Sequence, residues 1–446
     1  MNKKAILFLE LNRFGKLVKI QVKERSIAVK DIKTEKGKKI NKKSMIVALD
    51  VAQEKHVVYI RCSGGREEKP FVVFNRREEY EQMWERISQT KEAYGLEEIV
   101  VGFESTGPYA EPLVHYLMKK EVKLVQVNPM HTKRVKEIRG NSPNKTDEKD
   151  PQVIADIIEL GNYLTVVIPE GISAELRRLT QARERAVGRR TMLVNQVHGL
   201  VSVIFPEFLM VMKDIKTKTA HYLLKHCPRP QEVVGLGNER LEETLRKISR
   251  GRMGKERAEA LYEAAVNTVG VREGQGGMVF EIKQLVAGIE ETERVIEELE
   301  EKMREYLKEI PYSRCMLSIQ GIGEVTVAGL IGEVGDFGKY KTIAEITKLA
   351  GLDLFEVSSG KHKGERHISK RGRPLMRKLL FYAAINVVRK GRIMHERYER
   401  YIQRGMPKIK ALTAIARKLL GVLFALVRDQ SEYVRNYEGI PLKKVA

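Results

Sequence analysis

The sequence predicts an α/β layer domain with a mixed sheet, then a long helical segment and a mostly helical C-terminal part. Three observations carry this. Three short apolar runs follow one another after Met45, and further apolar runs then alternate with helical stretches, as in a layered sheet where hairpins precede crossovers. Residues 174–205 read as one long basic helix with Leu179, Ala186, Leu193, Val197, Leu200 and Ile204 along one side. From Ile282 to Ile310, apolar positions recur at alternating spacings of three and four, a heptad seam with charges outside it.

In chain order, residues 1–44 form a basic N-terminal extension, with fourteen Lys/Arg against four Asp/Glu. They read equally as a nucleic-acid arm or as a partly disordered leader. Residues 45–170 are the sheet domain. "MIVALDV", "HVVYIRC" and "KPFVVFN" are three successive strands, and Arg76–Tyr94 is a helix. "EEIVVGFES" is a buried strand and "PLVHYLMKK" a helix. "VKLVQVNP" is a further strand, followed by a basic helix near His131–Ile138. Residues 171–310 are the helical segment, in which 208–278 are helical with glycine-rich breaks. Its heptad seam, Ile282, Leu285, Ile289, Thr292, Ile296, Leu299, Met303, Tyr306 and Ile310, packs within its own chain or between protomers. Pro311 ends the seam, and residues 311–446 form a compact, mostly helical part finished by basic amphipathic helices.

The chain of 446 residues has a formal net charge of +22, which favours a polyanionic partner. No apolar run approaches the length that spans a bilayer, and no secretory signal opens the sequence. Cys62, Cys227 and Cys315 are widely spaced, without a metal-knuckle or disulfide pattern, so a cytoplasmic setting is expected. Any metal is then held by carboxylates, which suits Mg²⁺ or Mn²⁺.

The carboxylates are placed for that role. Asp50 ends the run "MIVAL" and Glu104 ends "IVVGF". A charge at the end of a buried strand costs several kcal/mol unless a partner or metal neutralises it. Adjacent strands lie about 5 Å apart, so the two carboxylates can converge. Asp147 and Asp150, in "NKTDEKDPQVIAD", complete a cluster of four whose mutual repulsion a divalent cation reverses. Pro151 disfavours a helical Asp150. The expectation is that Asp150 is the N-cap and Pro151 the first helical residue, so Asp150 either caps the helix or ligates. Asp147 is equally a solvated turn residue.

"MIVALDVAQEKHVVYI", "VVGFESTGPYAEPL", "VQVNPMHTKRV" and "NKTDEKDPQVIAD" resemble, in order, the N-terminal half of the IS110-type (DEDD) transposases, a family that includes site-specific invertases. "LSIQGIGEVTVAGLIGEVGDFGKYKTIAEITKLAGL" and "SSGKHKGERHISKRGRPLMRKLLFYAA" resemble its C-terminal half. The likeness covers about Met45–Leu200 and Cys315–Arg389. It implies a RuvC-like (RNase H) domain, a coiled-coil segment, a serine-bearing transposase domain and a non-coding bridge RNA that pairs with donor and target DNA. It places the acidic tetrad on Asp50, Glu104, Asp147 and Asp150, and the serine on Ser359 ahead of Ser358. The family usually has alanine where Pro151 stands. Residues 1–44 and much of 208–278 have no counterpart.

Read physically, Gly321 and Gly323 in "GIGEVT" suit close approach of backbone to a phosphate at a helix start, or a tight turn between packed helices. The stretch 358–378 packs eight Lys/Arg against one Glu. Lys361, Lys363, Arg366, Lys370, Arg371 and Arg373 are its candidate nucleic-acid contacts, against the plainer reading of a solvated basic loop. Serine is a weak nucleophile without help, and it is the resemblance that makes Ser359 catalytic. The leading expectation is a DNA transposase or recombinase working with DNA and RNA as a dimer or tetramer, away from membranes. An invertase or Holliday-junction nuclease on the same sheet, or a non-catalytic nucleic-acid scaffold, are the alternatives.

Overall fold

The computed structural model describes residues 43–62, 64–104, 107–139, 149–166, 168–356 and 364–434. These fall into two compact units that meet in sequence between Ile168 and Pro169.

The first unit is built on one mixed sheet. Its elements are β1 (Ser44–Val51), β2 (Lys55–Cys62), β3 (Arg66–Glu67), β4 (Phe71–Phe74), α1 (Arg77–Ala93), β5 (Glu98–Glu104), α2 (Glu111–Leu117), β6 (Lys123–Val127), α3 (Pro129–Arg139), α4 (Lys149–Glu159) and β7 (Leu164–Thr165). The order across the sheet is β3-β2-β1-β5-β6-β7, with β4 also paired to β2. β1 and β2 are antiparallel, whereas β5 and β6 continue parallel to β1. The central strands read as unbroken apolar runs because both faces are covered. One face, with Val47, Leu49, Val58 and Ile60, packs on Met83 and Ile87 of α1 and Leu113 and Leu117 of α2. The other, with Ile46, Ala48, Tyr59, Val100 and Val125, packs on Val153, Ile154, Ile157 and Ile158 of α4.

The helix after Asp147 starts earlier than the sequence suggested. α4 begins at Lys149, so Asp150 lies in its first turn and Pro151 is the third helical residue. The first four N–H groups of a helix have no intrahelical partner, so a proline there forfeits no hydrogen bond.

The second unit comprises α5 (Ile172–Ile204), α6 (Pro206–Met212), α7 (Lys218–His226), α8 (Pro230–Ser249), α9 (Lys255–Val266), α10 (Gln275–Lys308), α11 (Ser313–Leu317), α12 (Glu324–Val334), α13 (Ile343–Leu349), β8 (Leu354–Glu356), β9 (Arg366–Ile368), α14 (Pro374–Val387), α15 (His395–Gln403) and α16 (Lys408–Arg428). The long helices α5 and α10 lie side by side and antiparallel. Arg183 pairs with Glu300 (2.6 Å) and Arg190 with Glu293 (3.7 Å), one number rising as the other falls. Most of the heptad seam therefore packs inside the chain. Ile282, Val286 and Ile289 share a core with Val194, Val197 and Val201 of α5. Val286 and Leu307 are buried, whereas the expected Leu285 and Tyr306 are only partly so. A straight helix drifts about 20° per heptad from a 3.5-residue stripe. The stripe meets α7 and α12 as well as α5.

Among the described residues no single helix is long and apolar enough to cross a membrane; α5 and α6 reach that length and apolarity only as a pair, which is bent by 119°. Much of that pair lines cores of the second unit.

Candidate active site

Asp50 and Glu104 are brought together by strand register. β1 and β5 run parallel, with Ala48 opposite Gly102 and Leu49 opposite Phe103. One step further sets Asp50 beside Glu104, on neighbouring strands about 4.8 Å apart. Side chains alternate along a strand. Asp50 therefore shares the face of Ile46 and Ala48, and Glu104 that of Val100 and Gly102, which is the face under α4. Both carboxylates are half-buried.

α4 carries the third carboxylate, Asp150, in its first turn. Near its C-terminus, Asp156 and Glu159 grip Arg61 at 2.8 and 3.1 Å, and Arg61 sits opposite Ile46, near the start of β1. Asp150 precedes Asp156 and Glu159 by a helical rise of roughly 9–14 Å. Asp50 lies roughly 13 Å of strand past Ile46. By these rises the start of α4 lies toward the end of β1 that carries Asp50. Asp150 Oδ1 there accepts from Lys136 Nζ of α3 at 2.7 Å. α3 follows β6, whose Val127 pairs with Glu104, so its lysine belongs to the same corner. Asp147 lies outside the described residues.

Among the described residues, no group of three or more His, Cys, Asp or Glu is arranged to hold a metal ion. The donor chemistry nevertheless fits a hard divalent cation, since every candidate ligand is a carboxylate. The Lys136 ammonium pairs with one of them, Asp150.

The serine turn, Ser358 and Ser359, lies outside the described residues, as do Lys361 and Lys363. What frames it is described. β8 and β9 pair antiparallel, with Leu354 opposite Ile368 and Glu356 opposite Arg366, and residues 357–365 join the two in sequence. The base of the pair is tied. Ser369 Oγ hydrogen-bonds Asp353 Oδ1, Ser369 N donates to the Asp353 carbonyl (2.8 Å), and Lys370 N donates to the Gly351 carbonyl (3.0 Å). Gly351 (φ +65°) and Gly372 meet so closely that a Cβ on Gly372 would sit 2.4 Å from Gly351 N.

The remaining candidates separate by exposure. Arg366, Lys370 and Arg371 are exposed, Arg366 paired with Glu356 at 2.9 Å. Arg373 is half-buried. Its Nη1 donates to the Glu333 carbonyl, and burial, with nearby Arg177, pulls its guanidinium down to about 10. It is the N-cap of α14. Gly321 has φ +108°, and a Cβ there would meet Arg392 Nη1 at 2.6 Å, so the turn packs against an arginine. Gly323 is the N-cap of α12, with open space where its Cβ would be.

Sequence reasoning missed Lys136, Arg61 and Gly102. Lys136 stood in a stretch recognised only as a basic helix. Arg61 was one polar residue ending an apolar strand.

Comparison with known proteins settles the class. A family model described as a transposase matches residues 47–206, and one described as a transposase of the IS116/IS110/IS902 family matches residues 313–399. The chain is a DNA transposase, an enzyme of DNA recombination. It is 26% identical to an insertion element IS110 uncharacterized 43.6 kDa protein of Streptomyces coelicolor, over 65% of this chain and 72% of that protein. It is 23% identical to the transposase for insertion sequence element IS1111A of Coxiella burnetii, over 92% of this chain and 94% of the other. The mini-circle putative transposase for IS117 of Streptomyces coelicolor is 22% identical over 75% of this chain and 83% of its own. The chain belongs to the IS110 family of insertion-sequence transposases.

Proposed function

We propose that the chain cleaves and rejoins DNA strands by phosphoryl transfer at a carboxylate-held divalent cation, Mg²⁺ or Mn²⁺, with Ser359 as nucleophile and a bridge RNA selecting the DNA. The observation that carries the reading is the register that sets Asp50 beside Glu104 under the start of α4. The sheet, an antiparallel β1-β2-β4 meander continued by parallel β5 and β6, supports a RuvC-like (RNase H) character for residues 45–170.

Asp50, Glu104, Asp147 and Asp150 are the proposed ligands. When bound, the cation stabilises charge on the transferring phosphoryl group and on the leaving oxygen. The chain's own part is placement. Two proposed ligands stand on adjacent strands and one in the first turn of the helix packed over them; the described carboxylates are not gathered into a metal-holding group, so binding the cation would draw them together. Ser359 Oγ forms a bond to phosphorus as a DNA hydroxyl leaves. Attack by the hydroxyl of a second strand reverses this and restores the serine. Lys361, Lys363, Arg366, Lys370 and Arg371 neutralise backbone phosphate around that step, and Gly321 and Gly323 let backbone approach it. Joining two DNA ends calls for more than one active site, so a homo-oligomer is part of the reading.

The test traps the cleaved intermediate under denaturing conditions and looks for DNA attached to protein. Wild type is expected to give an adduct that Asp50→Asn and Ser359→Ala both eliminate, while Ser359→Ala still binds Mn²⁺ and DNA. An adduct that survives Ser359→Ala but not Ser358→Ala moves the nucleophile by one residue. Recombination that survives both serine changes makes water or a DNA hydroxyl the nucleophile and rules out the serine.

A further inference from the structure

We propose that Lys136 is the internal counter-ion of the carboxylate site and its phosphate-contacting residue. It holds Asp150 until a divalent cation takes its place, and its freed ammonium then contacts the DNA backbone. This rests on the metal reading above.

Lys136 Nζ lies 2.7 Å from Asp150 Oδ1, with the side chains 37% and 25% exposed. An ion pair this accessible is weak and exchangeable. Its position is not that of an ordinary surface pair. Asp150 opens α4, the helix packed on the β1 and β5 face that carries Asp50 and Glu104. Clustered carboxylates repel one another, and a neighbouring cation relieves that cost. An ammonium does so with one charge and three donors. A divalent ion does so with two charges and direct ligation, so both compete for the same oxygen.

Displacement leaves the ammonium on a flexible four-carbon stem beside the site. The anion that the reaction brings there is a DNA phosphate. Lys133, one helical turn away on α3, is exposed, so the same side of the helix offers a second positive charge. Lys136 thus offsets one carboxylate charge of the site, that of Asp150, and is already in place when phosphate arrives.

The two roles predict changes of opposite sign. With Mn²⁺ alone as the calorimetric probe and the full-length chain, Lys136→Met is expected to bind the ion roughly two- to fivefold more tightly, the range a partly exposed ion pair is worth. With Mn²⁺ saturating, cleavage of DNA carrying the element's ends is expected to fall by on the order of tenfold or more. Lys136→Arg keeps the charge and is expected to return Mn²⁺ affinity to near that of wild type. A lysine needed only for folding would weaken both properties, and Lys136→Gln, with circular dichroism to establish its fold, guards against that. Unchanged or weaker Mn²⁺ binding by Lys136→Met overturns the counter-ion role. Unchanged cleavage at saturating Mn²⁺ overturns the phosphate contact. Asp50→Asn is measured alongside. If it binds Mn²⁺ as wild type does, the metal reading itself fails and takes this proposal with it.

Discussion

His56 is fully buried in β2, with Nε2 2.7 Å from Asn75 Oδ1 and 3.3 Å from Tyr80 Oη. Asn75 Nδ2 donates to the Gln53 carbonyl at 2.6 Å. That bond turns the amide oxygen toward the imidazole, so Nε2 carries the proton and donates. Nδ1 is buried with no hydrogen-bond partner. Burial pulls the pKa of His56 below its usual value, and the Asn75 bond opposes this only in part. The unfolded chain takes up a proton near pH 6.5, whereas the folded chain does so only at lower pH. Between those values the unfolded state holds more protons, so stability rises with pH. His56 thus contributes stability that is present above the unfolded pKa and lost as pH falls through the folded one. Trp84, the chain's single tryptophan, lies in α1 of the same unit. The urea midpoint reported by its fluorescence should drop from about pH 7.5 to about pH 5, and His56→Gln should flatten that slope. An equally steep slope in the variant would assign the pH dependence to other groups. Single residues were unevenly legible in the sequence. Asp50 and Glu104 stood out because a charge ending an apolar strand is costly. Lys136 did not, because a lysine in a basic helix looks the same whether it faces water or Asp150.

α4 shows how one glycine seats an element. A Cβ on Gly102 would lie 2.2 Å from Ile158 Cδ1, so β5 and α4 approach as closely as they do only because residue 102 has none. Gly102→Val should cost about 1–3 kcal/mol by overpacking. Because Asp150 rides on the same helix, it should weaken Mn²⁺ binding too. Ile158→Ala in the same chain should recover part of both, and a double-mutant cycle with no coupling would mean that α4 is not seated there. Elements with strong period were readable in advance. β1, β2, β5 and β6 were unbroken apolar runs, and α5 and α10 carried long stripes. β3 and β7, of two residues each, carry no period at all, and β8 and β9 are three-residue strands of mixed composition. The seam of α10 was visible, but its partner was not, because a heptad specifies an apolar neighbour without saying which chain supplies it. The α5 pairing makes a specific prediction. Ile289 is fully buried, so Ile289→Lys places an unpaired charge in a closed interface and should cost about 3 kcal/mol or more. Thermal unfolding followed by helical circular dichroism measures it. A variant as stable as wild type but with a lower mass by light scattering would instead place the seam between protomers.

Over the whole molecule, positive charge is distributed unevenly. Residues 1–44 hold fourteen Lys/Arg against four Asp/Glu, a net +10 of the chain's +22. In the second unit many cations are spent internally, as in Arg183–Glu300, Lys225–Glu290 and Lys378–Glu184. An arginine already paired in the fold releases few counterions when a nucleic acid approaches. Exposed Arg389, Lys390, Arg404 and Lys408 remain available along the C-terminal helices. Salt dependence can separate these sets, because the logarithm of the binding constant falls with the logarithm of salt at about 0.9 per duplex phosphate neutralised. The full chain should lose DNA affinity steeply between roughly 50 and 200 mM salt. A chain beginning at Lys43 keeps every proposed active-site residue but loses thirteen Lys/Arg and four Asp/Glu. Its slope should be shallower by several units if the basic extension lies along nucleic acid. Asp50→Asn should leave the slope near that of wild type, since it alters one charge at the proposed metal site. An unchanged slope in the truncated chain would mean that the extension's charge never meets phosphate. A flat dependence in the full chain would remove the electrostatic basis for assigning +22 to nucleic-acid binding at all.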